Sequence, residues 1–167
     1  LVVREGGKAD LNGCDLSGCW WGGMWVKDQD SRVRLCHCRV DECRHSNICV
    51  VDGAKAELQH TTSNGSKCSY GLCMGNSGCL QATDSESSRN KGDGAIVYSA
   101  SITLLRSTCS DNWGFGLSVY DCGLINAEDS CSKGNKAGSA DQRRRDRADE
   151  LALMGGPGGS PVAPAVE

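Results

Sequence analysis

Gly71, Gly94, Gly116 and Gly138 stand 22 to 23 residues apart, and an apolar residue follows three positions after each of the first three. A period in this range means one small supersecondary unit stacked on copies of itself, because a unit so short cannot bury a hydrophobic face alone. At that period Val51, Met74, Val97 and Val119 fall in one column and Leu58, Leu80, Ile102 and Leu124 in a second, while Leu11, Val33 and Ala56 extend a similar column towards the N-terminus. Asn90 and Asn112 share a further column, with Asn135 one residue out of register. Each glycine is expected to open the inward strand of its unit, where a missing side chain lets the backbone turn sharply out of a polar bend.

Within a unit the apolar residues alternate over short runs, as in Leu117-Ser118-Val119 and Ile102-Thr103-Leu104. That is the period-2 pattern of a half-buried strand. Between the runs lie clusters of Ser, Asn, Asp and Gly at 61–65, 84–93 and 111–116, residues suited to tight corners. Strand-bend-strand units wound in parallel, roughly 4.8 Å apart, satisfy both backbone and core. The expected fold is all-β: a single-stranded parallel β-helix solenoid of about six coils of 22–23 residues. Leucine-rich repeats share the period, but 102–121 lacks the Leu-x-x-Leu-x-Leu frame.

The stretch 78–138 carries this pattern most fully: an apolar pair (Leu80 and Ala82, Ile102 and Leu104), a polar bend with Asn90 or Asn112, and a Gly-led strand (Gly94 to Val97, Gly116 to Val119). It resembles the right-handed parallel β-helix superfamily, the scaffold of pectate lyases, polygalacturonases and alginate epimerases. The resemblance, together with the right-handed bias of parallel crossovers, implies a right-handed coil. A shorter pattern, Ala9-Asp10-Leu11-Asn12-Gly13 followed by Cys14-Asp15-Leu16-Ser17-Gly18, is similar to the pentapeptide repeats and reads as one regular coil of the larger solenoid.

Residues 1–140 form the repeat domain in this reading. Residues 141–167 hold a charged run and a Gly-, Pro- and Ala-rich tail, with a short helix around Leu151 to Met154 folding over the last coil. The run Arg143-Arg144-Arg145-Asp146-Arg147 is interspersed with acids, and the whole chain carries a formal charge of −3. It reads as a solvated face, and no nucleic-acid partner is expected. No apolar stretch approaches the roughly 18 residues of a membrane span. The chain begins at Leu1 rather than Met, which reads as a processed form or fragment of a longer solenoid.

Twelve cysteines in 167 residues point to a disulfide framework and an extracellular or cell-surface location. A competing reading comes from the repeat itself. Cys14 with Cys36, and Cys109 with Cys131, are 22 residues apart, so they would be stacked thiol ladders, or else bridged pairs, on neighbouring coils. Cys36, Cys38, Cys43 and His45 are the densest set of soft metal ligands, yet their spacing matches no closed zinc motif. Disulfides and exposed histidines account for them, and no cofactor is expected.

The Asn-Thr-Asp, Gly-His-Gly and Arg-Ile-Lys landmarks of polygalacturonases and the Asp-Pro-His triplet of the epimerases do not occur. Tyr98 and Tyr120 are 22 residues apart and each follows an inward valine, so they should stack on the outside and offer a platform to sugar rings or a partner's apolar patch. Asp93 and Asp121 are the polar candidates beside them. The leading function is a non-catalytic β-helix module of an extracellular or surface protein that contacts a polysaccharide or a protein. A fragment of a polysaccharide lyase or hydrolase and an intracellular repeat scaffold are the alternatives.

Overall fold

A computed structural model describes residues 1–136. The helix expected near Leu151, the fourth glycine of the beat and the basic run lie outside the described residues. Twelve strands follow in order: β1 (Val2–Val3), β2 (Lys8–Asn12), β3 (Met24–Val26), β4 (Arg32–Cys36), β5 (Ile48–Val50), β6 (Lys55–Gln59), β7 (Leu72–Gly75), β8 (Cys79–Thr83), β9 (Ala95–Tyr98), β10 (Ser101–Leu105), β11 (Leu117–Tyr120) and β12 (Leu124–Glu128). The odd strands form one six-stranded sheet and the even strands another, and every pairing is parallel. A third face is joined by single parallel bridges running Asp15, Arg39, Thr62, Glu86, Thr108 and Cys131. The chain is a β-solenoid of six coils with three faces.

Alternation drives the core. On the even sheet Ala9, Val33, Ala56, Leu80, Ile102 and Ile125 stack inward, and Leu11, Leu35, Leu58, Ala82, Leu104 and Ala127 form the second inward column. Met24, Ile48, Leu72, Ala95 and Leu117 face them from the odd sheet, beside Val26, Val50, Met74, Val97 and Val119. Leu35, Ile48, Met74 and Leu80 are fully enclosed, and each such side chain contributes roughly 1.5–3 kcal/mol of transfer free energy.

The register corrects the sequence columns. Leu80 lies beside Ala56 and Ile102, whereas Leu58 lies beside Ala82 and Leu124 beside Ser101. Val50, not Val51, continues the Met74 column. Coil length varies: the even sheet pairs Ala9 with Val33 but Leu80 with Ile102.

Corners are made by left-handed residues, one column per corner. His37, His60, Asp84, Arg106 and Asp129 have φ between 48° and 51° and follow Gly13 at the turn leaving the even sheet. Asp28, Asp52, Asn76, Ser99 and Asp121 do the same after the odd sheet, and Gly18, Glu42, Gly65, Arg89, Asp111 and Gly134 on the third face. Short polar side chains tolerate this region better than branched apolar ones do, which is why the bends are rich in Asp, Asn, Ser and Gly.

The backbone groups of the third face are satisfied by side-chain ladders. Cys38, Thr61, Ser85, Ser107 and Ser130 each donate to the carbonyl two residues earlier, at 2.9 to 3.3 Å, and Thr61, Ser85, Ser107 and Ser130 also accept an N–H from the preceding coil. A second ladder is built from asparagine. Asn90 Nδ2 donates to Asn112 Oδ1 and Asn112 Nδ2 to Asn135 Oδ1, both at 3.0 Å, while those oxygens accept the backbone N–H of the preceding rung. Asn135 is in register after all. Full satisfaction is what permits polar groups this deep in a coil.

The glycine beat takes its meaning from that ladder. Gly71, Gly94 and Gly116 share a column with Asn47, but none of the three has a positive φ. A Cβ at Gly71 would stand 2.5 Å from Asn90 Nδ2, and at Gly94 or Gly116 it would stand 2.6 Å from Asn112 or Asn135 Nδ2. The glycines make room for the asparagines and, at Gly71 and Gly116, for the still closer Ser87 and Ser132 hydroxyls, rather than freeing the backbone to turn. Where Asn47 occupies the glycine column, its amide reaches Asn64 O at 3.0 Å and Asn90 Oδ1 at 3.3 Å, and Ser66 stands in the asparagine column.

Candidate functional site

Tyr98 and Tyr120 are register partners and stack with ring centroids 5.1 Å apart and planes 20° apart. The expected outward stack forms. Asp121 follows Tyr120 at an exposed corner, and its carbonyl accepts the Ser99 hydroxyl at 2.8 Å. Asp93 is elsewhere, at the leading end of the odd strands. It is buried, and its carboxylate accepts the Phe115 N–H at 2.6 Å and the Ser118 hydroxyl at 2.5 Å. The four do not converge, and Asp93 holds a corner together.

The soft ligands separate likewise. Cys36 is half-buried on the outer side of β4, and Cys38 and Cys43 point inward. His45 stacks on Trp21 with centroids 5.2 Å apart. Burial, then the nearby Arg44 charge, holds its pKa below the ordinary 6.5. Among the described residues no group of three or more His, Cys, Asp or Glu side chains stands together to hold a metal. His37 and His60 stack on each other, centroids 4.7 Å apart.

All twelve cysteines are free thiols, which corrects the expected disulfide framework. The two proposed pairs do not stack either. Cys36 lies beside Asn12 and Gln59, and Cys131 beside Thr108, because the coils there are longer than the 22 residues on which both pairs rested. Cys14 instead follows the column of Cys38, Cys19 that of Cys43, and Cys49 that of Cys73. Burial pushes the Cys109 pKa up to about 12 and raises that of Cys43.

One column at the third face escaped the sequence reading. The residue after each rung of the column Cys19, Cys43, Ser66, Asn90, Asn112 and Asn135 gives Trp20, Arg44, Lys67, Lys91, Trp113 and Lys136, and the last five are each hydrogen-bonded through the backbone to the coil before. All six are exposed. The Arg44 guanidinium carbon lies 3.8 Å from the Trp20 ring centroid, and Trp113 has Lys91 Nζ at 3.8 Å and Lys136 Nζ at 5.3 Å. Each contact is a cation–π pair. The column contains no acid, and Arg44, Lys67 and Lys91 carry like charges on three consecutive coils, whose backbones lie roughly 4.8 Å apart. Its spacing follows the coil lengths, and treating tryptophan and cations as one class would have exposed it.

Residues 28–143 match the family model described as right handed beta helix region. The match spans most of the chain and the solenoid agrees with it, so the protein belongs to the right-handed β-helix family. No curated protein and no solved structure matches.

Proposed function

We propose that this β-helix is a non-catalytic binding module that holds an acidic glycan chain along its third face, outside the cell or at its surface. The observation that carries the reading is the unbroken Trp20–Arg44–Lys67–Lys91–Trp113–Lys136 column. Tryptophan faces pack on the apolar faces of sugar rings, and cations meet carboxylate or sulfate groups. Coils repeat every roughly 4.8 Å, near the length of one pyranose unit in an extended chain, so successive sugars meet successive rungs. The coil interior offers no competing cleft, because the core columns fill it. Free cysteines do not argue for the surface location; the chemistry of the proposed ligand does.

Titration with polygalacturonate, followed by tryptophan fluorescence, tests the reading. Binding should saturate, weaken as salt rises, and fall at least tenfold in Trp113→Ala, with a neutral glucan and oligo-dT binding more weakly. Equal binding by Trp113→Ala, or stronger binding of oligo-dT, would sink it. Shortening of the polymer during titration would favour the lyase or hydrolase alternative.

A further inference from the structure

The first two coils stack two pairs of thiols along the third face, Cys14 with Cys38 and Cys19 with Cys43. Their sulfurs are aimed differently. Cys14 Sγ donates to Asn12 O at 3.5 Å, whereas Cys38 Sγ turns to Leu11 O at 3.5 Å and Cys36 O at 3.3 Å. Cys19 and Cys43 converge on one acceptor, Leu16 O, at 3.4 and 3.8 Å, besides meeting the carbonyls of Ser17 and Asp41 respectively. The two thiols also act on each other. Burial raises the Cys43 pKa, the Cys19 N–H lowers it, the Cys19 thiol raises it again, and the Gly23 N–H lowers it a little. Cys43 is fully buried and Cys19 half-buried, so the pair has one closed member and one open to solvent.

We propose that Cys19 and Cys43 form a two-coordinate site for a soft monovalent d10 cation of the Cu(I) class. Coil geometry sets the class. Parallel Cβ vectors on coils roughly 4.8 Å apart hold two sulfurs too far apart for the roughly 2.05 Å of a disulfide. Two metal–thiolate bonds of roughly 2.3 Å laid end to end span nearly the coil spacing. A cation on the line between the sulfurs therefore joins neighbouring coils without moving the backbone. Zinc, which takes four ligands, is poorly served, because among the described residues no group of three or more metal-ligating side chains stands together. Thiolate softness selects Cu(I) over harder ions. Binding exchanges two S–H bonds for two S–metal bonds: one cation enters, two protons leave, and the unit carries a single negative charge. The Cys19 and Gly23 N–H groups beside Cys43 favour that charge, and Arg44, next in the chain, brings a positive one. Cys49 and Cys73 share the coil spacing on the odd sheet, but the column they belong to, Trp25, Cys49, Cys73, Ile96 and Ser118, contains no cation.

Anaerobic titration of the reduced full chain with Cu(I), in competition with the chromogenic chelator bicinchoninate, tests the assignment. One equivalent should bind tightly, and Cys43→Ser should weaken it by more than the roughly 10–100-fold that losing a supporting outer partner costs. Cys19→Ser, at the half-buried position, should do the same and answers the question where Cys43→Ser fails to fold. Cys38→Ser and Cys49→Ser should leave the first equivalent unchanged. With that equivalent bound, iodoacetamide should spare Cys19 and still label the exposed Cys68, Cys79 and Cys122, and X-ray absorption should show two sulfur neighbours. Affinity unchanged in Cys19→Ser, protection of the exposed thiols in place of Cys19, or copper–copper scattering at one equivalent overturns the proposal.

Discussion

The first two coils and the four that follow solve one problem with different chemistry. At the inner side of the third face the early coils place Cys14 and Cys38, Leu16 and Val40, then Cys19 and Cys43. The same three columns continue upward as Thr61, Ser85, Ser107 and Ser130, as Ser63, Ser87, Cys109 and Ser132, and as Ser66, Asn90, Asn112 and Asn135. The backbone path is common to both. What differs is whether its orphan carbonyls meet weak thiol donors beside apolar packing or a continuous ladder of hydroxyls and amides. Cysteine here is a small, near-isosteric substitute for serine, which accounts for Cys14, Cys19, Cys38, Cys43 and Cys109 without any bridge.

Removing an amide rung should separate the two regions most sharply. Asn112→Ala leaves the Asn90 N–H and the Ser87 carbonyl without a partner inside the coil and takes from Asn90 Nδ2 its shortest bond, leaving it Ser63 O and Ser87 Oγ. At roughly 1–3 kcal/mol per buried orphan, the loss should be about 3 kcal/mol or more by urea unfolding. A loss near 0.5 kcal/mol would mean the ladder merely fills space.

Exchanging a thiol rung should cost far less. In Cys38→Ser the new hydroxyl still faces the Cys36 carbonyl, which Cys38 Sγ meets at 3.3 Å, so stability should change by no more than about 1 kcal/mol. A bridging cysteine would instead lose about 2–5 kcal/mol. Titration of the denatured, unreduced chain with a thiol reagent should find all twelve groups free.

Acid should act in two windows, with the smallest effects of all. His45 has its folded pKa below 6.5, so on acidification the unfolded chain takes the proton first, and stability falls as pH drops from about 6.5 through the folded value. This window belongs to the early coils and should flatten in His45→Gln. Asp84 is held below the ordinary 3.8 by the Arg106 guanidinium, which meets it at 2.7 Å through both Nε and Nη2. Its contribution is present above that ordinary value and lost as pH falls through the lowered one. A thermal midpoint that is flat from pH 7 to pH 5 in the unaltered chain would contradict the first window.

Much of the scaffold could be read from the chain alone. Alternation in Ile102-Thr103-Leu104, the asparagine spacing and the turn-rich segments gave strands, corners and a parallel stack, and the Tyr98–Tyr120 contact followed from one repeat length. The errors have one cause. Coil length is not constant, and a slip of one residue sends a side chain to the other face while a slip of two changes its neighbour. Cys36 therefore met Asn12 instead of Cys14, and the basic and aromatic column went unnoticed because its members alternate in type. The candidate site suffered more than the fold for this reason: a fold tolerates a column of merely apolar residues, whereas a site depends on which named side chains meet.

Sequence by itself determined that this protein is a stack of parallel coils, because no short strand-bend-strand unit can bury its core except against a copy of itself. Only the tertiary structure decided what the glycines are for, which cysteines neighbour one another, and where cations and tryptophans line up. Those outcomes depend on register, and register is fixed by hydrogen bonding between coils more than twenty residues apart in the chain, a distance over which the linear pattern carries only an average spacing.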